Sequence, residues 1–470
     1  MRNYFGAGTV TRSLKTIGCV LLLASCVHTG RAFSLLGPFD TWQIQEITYQ
    51  MGSDIGGPQN LGEEYRIPMP TLFYAFESSF LDYFGSNGVA EVEKAIKIIN
   101  DLPAVSLLSQ QLTEFQLEAR RDNYQAAALS LLDLKSYTLN LLIEQMGLAE
   151  PERYTWTLRA RFVLPAGCPV VNYSVIQRNF DPVTWEPTPY VNGVLYTYQI
   201  IEVCMGTPFL ADAFEIQVDP LAISFNSVAG LNLPLGGFFT GLTRDDVGGL
   251  RYLYRKNNFN NEALPNNATI GGGGGVVPVA GGISSPWTPF FPTNFTAGTN
   301  VVGVPVAATN VLSVRGGIDK IIFRRVNFDS LLGSNFVAVA DAYTATTLVN
   351  SRQTGQRITR QVLTPDFVFT ARDLGVFNPP ANAVTVARRL LSVQNAGPAG
   401  LNGPGIINTP ITITYNKLGN VLINNGPAFI DEASSFRDFT WASFDGTTNA
   451  PVIYPSGRSI MDLEAQLLRP

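Results

Sequence analysis

Residues 133–150 read DLKSYTLNLLIEQMGLAE, and this stretch decides how the first half of the chain is interpreted. Its apolar residues are available for burial on one side of a helix: Leu134, Leu139, Leu142 and Met146. The pattern predicts a helix that begins at Ser130 or Asp133 and continues to Leu148, with its end near Gly147.

One strand and two further helices are predicted on either side of this stretch. Residues 72–76 (LFYAF) are apolar and aromatic and follow the breaker PMP, which predicts a buried strand. Residues 88–102 (GVAEVEKAIKIINDL) predict an amphipathic helix, and its apolar face consists of Val89, Val92, Ala95, Ile96 and Ile99. Residues 243–246 (TRDD) have the form of a capping box and predict the start of a helix with the sequence DDVGGLRYLYR.

A glycine-rich segment is predicted to divide the chain. Residues 154–218 alternate β-branched and aromatic residues with turn signals, which predicts strands. Residues 257–295 include five consecutive glycines at 271–275, so this segment is predicted to be a flexible linker. Residues 296–470 hold short β-like runs, among them KIIFRRVNF, DFVFTARDL and TPITITYNKL. The predicted fold class is therefore α/β (α+β) at residues 40–256, with a β-rich insert at about 150–230, followed by a β-rich domain at 296–470.

Together, the segments of the first half resemble the metzincin metallopeptidases, particularly the matrixin (peptidase M10) type. Residues 72–102 resemble the first core strand and first long helix of that family. Residues 133–150 resemble its active-site helix, D-L-x-x-x-x-x-H-E-x-G-H-x-L-G-L-x-H, and residues 238–255 (FFTGLTRDDVGGLRYLYR) resemble its closing helix. The resemblance covers roughly residues 65–255 and implies a metzincin-like scaffold.

All four functional positions of the family pattern are changed in this sequence. The three zinc-ligand positions fall on Asn140, Glu144 and Glu150, and the catalytic glutamate falls on Leu141. A leucine accepts no proton, and one amide with two carboxylates is an oxygen site with little preference for zinc. Three interpretations stay open: a degenerate scaffold without zinc, chance similarity of an amphipathic helix, or an oxygen site for Ca²⁺ at Asn140, Glu144 and Glu150.

The composition excludes several classes of function. The chain has 470 residues, of which 46% are hydrophobic and 15% charged, and its formal net charge of −5 disfavours nucleic-acid binding. Its one histidine, His28, lies at the edge of the N-terminal signal described next. This excludes Ser-His-Asp hydrolysis, Cys-His proteolysis and a histidine-ligated zinc in the folded part of the chain.

Residues 1–32 have the pattern of an export signal. Arg2, Arg12 and Lys15 precede the short apolar run TIGCVLLLAS at residues 16–25. Two processing sites compete: LASC at residues 23–26 resembles a bacterial lipobox and would leave a lipidated Cys26, whereas GRA at residues 30–32 suits ordinary signal peptidase. The expected location is the periplasm, the outer membrane if lipidated, or the extracellular space.

Two cysteines remain after such a signal is removed. Cys168 and Cys204 each adjoin an extended apolar segment, and two cysteines in an oxidising compartment commonly pair. A disulfide between neighbouring strands is therefore predicted, with two separate buried thiols as the alternative.

The sequence as a whole predicts an exported, non-catalytic protein that contacts another protein or a polysaccharide. Membrane contact is expected only through a lipid anchor, and no cofactor is expected. The insert aromatics are either its working surface or core residues: Tyr154, Trp156, Tyr173, Trp185, Tyr190, Tyr196 and Tyr198. The rival interpretation is a secreted hydrolase with a carboxylate site elsewhere, with candidates Asp319, Asp329, Asp341, Asp366, Asp373 and Asp445.

Overall fold

A computed structural model of the chain describes residues 30–38, 42–43, 57–162, 172–204, 210–223, 226–230, 233–270, 312–328, 336–372, 384–392, 404–417, 420–421 and 437–467. Within these ranges the protein is a mixed, strand-rich α+β structure, in agreement with the predicted class at that level.

The central sheet is built on the predicted strand at residues 72–76. In chain order its long strands are β1 (Thr71–Phe76), β2 (Ile322–Arg325), β3 (Phe367–Arg372), β4 (Val384–Ser392) and β5 (Gly405–Asn416). Their spatial order is β2-β1-β3-β5-β4, and all are parallel except β4, which is antiparallel to β5. The short strand Tyr65–Arg66 completes the sheet by pairing with β5.

This sheet combines residues from both sides of the glycine-rich segment. Strand β1 pairs with β2 on one side and with β3 on the other, and both partners lie more than 200 residues later in the chain. The aromatic core is also shared, since Phe76 stacks on Phe369 at 5.4 Å and Phe84 meets Tyr415 at 5.6 Å. The predicted division into separate domains at 40–256 and 296–470 is therefore wrong, because neither part can complete this sheet alone.

The first part of the predicted linker is also structured. Residues 257–270 contribute both edge strands of a five-stranded antiparallel sheet, whose order is Asn260–Glu262, Ser313–Arg315, Val339–Val349, Arg352–Val362 and Ala268–Ile270. Buried Glu262 pairs with buried Arg66 at 2.6 Å and fixes this sheet to the central one. The linker prediction is thus wrong for residues 257–270, whereas residues 271–295 lie outside the described part of the chain.

Three predicted helices are present, and the first of them packs on the central sheet. Helix α1 (Ser78–Asp101) begins ten residues before the prediction and breaks at Gly85, whose φ of 60° is left-handed. Helix α2 (Leu134–Gln145) begins after Asp133, whose carboxylate accepts a hydrogen bond from the Ser136 N–H. Helix α3 (Arg244–Tyr254) begins at the predicted capping box. Every residue of α2 except Lys135 is buried, so this helix is enclosed on all sides.

The insert consists mainly of two hairpins, which confirms the strands predicted at residues 154–218. One hairpin pairs Thr157–Phe162 with Asn172–Ile176, and the other pairs Val194–Val203 with Leu210–Gln217 and extends to Tyr190–Val191. Buried Arg153 holds the second hairpin through ion pairs with Asp212 and, at 3.8 Å, with Glu215.

Short strands and short helices make up the rest of the described structure. A four-stranded sheet contains Phe33–Gly37, Gly57–Gln59, Leu148–Ala149 and Asn179–Phe180. Smaller sheets join Leu131–Asp133, Thr440–Ser443 and Val452–Ile453; Arg120–Asp122 and Gly237–Phe239; and Asn420–Val421 and Arg437–Asp438. Short helices span Val105–Leu107, Tyr124–Ala128 and Ile460–Leu467. Among the helices described, none is long and apolar enough to cross a membrane.

Candidate functional site

Asn140, the first predicted metal ligand on α2, is hydrogen-bonded to the backbone of the chain itself. Asn140 lies in the second half of α2 and is 4% exposed. Its Nδ2 donates to the carbonyl oxygens of Val228 at 2.9 Å and Ala229 at 3.1 Å. Because an amide nitrogen has two hydrogens, these two bonds use its whole donor capacity. Residues 226–230 (NSVAG) therefore lie directly against the side chain that occupies the first ligand position of the metzincin pattern.

Asp246 of α3 binds the same segment through its N–H groups. Its Oδ1 accepts from the Ala229 N–H at 2.9 Å, and its Oδ2 accepts from the Val228 N–H at 3.1 Å. The same Oδ2 accepts from the Thr243 N–H at 2.8 Å, which completes the predicted capping box. Asn140 and Asp246 thus satisfy both the acceptors and the donors of residues 228–229, and we call residues 226–230 the clamped segment.

Glu152 fastens the other side of the clamped segment. Its Oε1 accepts from the Ser227 N–H at 3.0 Å, and its Oε2 lies 2.7 Å from the Ser227 Oγ. A Cβ on Gly230 would lie 2.4 Å from the same Oε2, so this position requires glycine. Burial raises the pKa of Glu152 to about 7, and the nearby charge of Asp246 acts in the same direction. Glu152 begins the insert and Ser227 ends it, so this contact closes the insert at its base.

Asp245, the neighbour of Asp246, points to a different segment. Its Oδ2 accepts from the Ala32 N–H at 2.8 Å and from the Asn192 N–H at 2.5 Å. Burial raises the pKa of Asp245 well above its usual value, and burial also raises the pKa of Asp246. Three buried carboxylates therefore surround the base of the insert, and their bonds go to backbone and hydroxyl groups.

The other residues of the predicted metal site are buried or partly buried. Leu141 is 6% exposed and packs in the main core, while Glu144 is buried on α2 and Glu150 is partly buried after it. In the residues that the structure describes, no group of three His, Cys, Asp or Glu side chains is placed to hold a metal ion. Sequence reasoning missed Glu152 and Ser227, because a buried carboxylate bonded to backbone leaves no motif.

The carboxylates of the rival hydrolase interpretation do not form a pair facing open space. Asp341 and Asp366 both bind Arg360, at 3.1 and 2.7 Å. Asp319 pairs with Lys256 at 3.0 Å, and Asp445 accepts from the Thr447 N–H at 2.8 Å in an exposed loop. The remaining two candidates, Asp329 and Asp373, lie outside the described residues, as do Cys26 and Cys168. The disulfide between Cys168 and Cys204 therefore stays a prediction.

The insert aromatics divide between core and surface. Tyr154 and Tyr196 are buried, whereas Tyr198 is 38% exposed and its ring lies 5.0 Å from that of Trp156. Half of the exposed large hydrophobic residues that the structure describes belong to this insert: Phe162, Tyr198, Ile201, Ile216, Val218, Leu221 and Ile223. We call these seven residues the exposed apolar residues of the insert. Comparison with protein-family models, with curated proteins and with solved structures finds no match for this chain.

Proposed function

We propose that this chain is an exported, non-catalytic protein with a metzincin-like scaffold, and that it binds a partner through its insert. The observation that carries the proposal is the clamped segment. Asn140 and Asp246 bind the backbone of Val228 and Ala229 from opposite sides. These contacts give Asn140 a structural role, because both hydrogens of its amide nitrogen bind the backbone of the chain itself.

The residue beside Asn140 supports the absence of peptidase chemistry. A metallopeptidase needs a general base next to its metal to take a proton from water. In the metzincin pattern that position is Leu141, which packs in the main core. The buried carboxylates nearby bind backbone N–H groups, so they stabilise the fold of the insert rather than activate water.

The first test restores the ligands. Asn140→His, Glu144→His and Glu150→His together would supply three imidazoles, two of them one helical turn apart. We expect the parent protein to bind neither zinc nor Ca²⁺ stoichiometrically, and the triple variant to bind zinc without gaining peptidase activity. Calorimetry, metal analysis and cleavage of a casein substrate measure these outcomes. Stoichiometric zinc or peptidase activity in the parent would contradict the proposal, and a folded triple variant without zinc affinity would contradict the metzincin-like frame.

The exposed apolar residues of the insert support binding of a protein partner. Monomeric proteins rarely expose many large apolar residues in one region, and such regions mark interaction surfaces. Leu221 is 91% exposed and Val218 is 52% exposed, and both follow the long hairpin strand Leu210–Gln217. Aliphatic side chains of this kind favour a protein surface over a polysaccharide, because they offer apolar area and no hydrogen bonds.

A photoreactive amino acid in place of Leu221 tests this surface in the exporting cell. We expect one discrete protein adduct at this position, and its loss when Ile216→Lys is added, because a buried charge disfavours an apolar contact. The matched control replaces Leu107, which is 76% exposed and lies outside the insert. Equal labelling at both positions, or an adduct without protein, would speak against a protein partner.

The ends of the two hairpins support export into an oxidising compartment. In the sequence, Cys168 falls between the segments Thr157–Phe162 and Asn172–Ile176, and Cys204 directly follows the strand Val194–Val203. Residues near both ends meet: the Tyr173 Oη donates to Glu202 Oε2 at 2.8 Å, and Arg161 lies 3.6 Å from Glu202. This proximity favours the proposed disulfide between Cys168 and Cys204, and a disulfide is stable outside the cytosol.

A further inference from the structure

An arginine at the end of α3 lies close to two aromatic rings of different segments, whose centres are 5.2 Å apart. The guanidinium carbon of Arg255 is 4.5 Å from the Trp185 ring centre and 4.4 Å from that of Tyr252. Arg251, one turn earlier on the same helix, lies 5.8 Å from the Trp185 ring. Cation–π contacts of this kind attract a guanidinium to the ring faces and help to hold it in place.

The arginines of this region differ in what they bind. Arg251 donates to the carbonyl oxygens of Ser109 at 2.6 Å, Gln110 at 2.9 Å and Pro182 at 2.5 Å, so it serves the fold. Arg31 donates to the Gln111 carbonyl. The guanidinium of Arg255, by contrast, has no hydrogen-bond acceptor among the residues that the structure describes. It is therefore an ordered, charged donor group with unused capacity.

The acidic groups near these arginines have other partners or lie at a distance. Glu64 acts on Arg255 only through its charge, because its Oε1 accepts from Asn258 at 2.9 Å and Asn260 at 3.0 Å. Glu114 and Asp181 act on Arg251 in the same way. The surroundings thus leave Arg255 without a direct counter-ion, and the charge of Arg66 also acts on it.

Trp185 is held in a strained conformation that fixes its ring beneath Arg255. Its φ of 64° lies in the left-handed region, which is costly for a bulky residue. A turn enforces it, because Asp181 accepts from the Val183 and Thr184 N–H groups at 2.8 Å. Strain of this kind persists where the surrounding structure fixes the position, and it is concentrated at functional sites.

We propose that Arg255, in cation–π contact with Trp185 and Tyr252, binds a carboxylate side chain of an acidic peptide segment. The guanidinium fork matches a carboxylate in a bidentate geometry. A carboxylate suits a single free guanidinium, because its two oxygens match one fork of N–H donors. The choice of a peptide as the ligand rests on the proposed function, because Trp185 belongs to the insert. The inference that Arg255 binds a carboxylate does not rest on the proposed function.

Binding of an oligomer of L-glutamate to the full mature chain, followed by calorimetry, tests the site. We expect Arg255→Gln to weaken binding at least tenfold, since it removes the bidentate partner. Arg255→Lys is expected to weaken binding as well, because an ammonium keeps the charge but lacks the planar fork. The matched control is Arg352→Gln, which removes the same charge from an exposed position on the second sheet. Thermal unfolding of each variant confirms that it is folded.

Several results would overturn the proposal. One is that the parent protein does not bind the glutamate oligomer. Another is that Arg255→Gln and Arg352→Gln lose the same affinity for it, which would indicate general charge attraction. Binding of polygalacturonate or inorganic phosphate in place of the glutamate oligomer would assign a different ligand. The proposed function is tested separately, because cross-linking at Leu221 does not involve Arg255.

Discussion

A chain that ends at residue 256 will not fold. Strand β1 would lose β2 and β3, its partners on both sides, and the seven residue pairs that it forms with them would be replaced by exposed edges. The buried apolar side chains of β1 and α1 would lose the face that Phe369 and Tyr415 provide. We expect residues 30–256 alone to be aggregated or to lack a cooperative unfolding transition, as measured by circular dichroism in urea.

The matched control cuts the chain without removing any of it. A protease site placed at Gly273, within the five consecutive glycines, allows the folded protein to be cleaved after purification. We expect the two pieces to stay together and to unfold in one transition, because the central sheet and the five-stranded antiparallel sheet each contain strands from both pieces. Cooperative unfolding of residues 30–256 alone, or separation of the cleaved pieces without denaturant, would restore the two-domain interpretation.

Local elements of this fold were predictable from the sequence, because each depends on neighbouring residues. The apolar periodicity at residues 88–102, the TRDD capping box and the LFYAF run all lie in the predicted helices and strand. The partners of a strand leave no such local signal. β1 pairs with residues about 250 and 295 positions later, and a glycine run between them has the composition of a domain boundary.

The candidate site was predictable only in part, for a related reason. The frame of residues 133–150 places Asn140 on α2, and the amide lies in the interior as a site residue would. Its partners are the backbone carbonyls of Val228 and Ala229, and a backbone group has no sequence signature. Likewise, Glu152 follows a proline in a stretch that predicts no burial. Its role depends on Ser227, which lies 75 residues away.

The stability of the protein will fall as the pH rises from 5 to 8, and Glu152 will account for much of the loss. Burial raises its pKa from an ordinary 4.5 to about 7 in the folded state. Between these values the unfolded chain releases the proton while the folded chain retains it, so the unfolded state binds fewer protons and the free energy of unfolding decreases with pH. A shift of this size corresponds to about 3 kcal/mol. Asp245 and Asp246 act in the same direction, since burial also raises their pKa values.

Glu152→Gln keeps the hydrogen bonds of this side chain but removes its titration. A glutamine accepts from the Ser227 N–H as Glu152 Oε1 does, and its amide donates to the Ser227 Oγ, but it carries no charge at any pH. We expect urea denaturation at pH 5 and pH 8 to show a smaller difference in the variant by roughly 2–3 kcal/mol, the remainder being due to Asp245 and Asp246. Glu186→Gln, at an exposed position of the insert, is expected to leave the parent's pH dependence unchanged. If Glu152→Gln and the parent lose the same stability, the carboxylate is ionised in the folded protein. The base of the insert would then be held by an anion on the Ser227 hydrogen bonds rather than by a neutral acid.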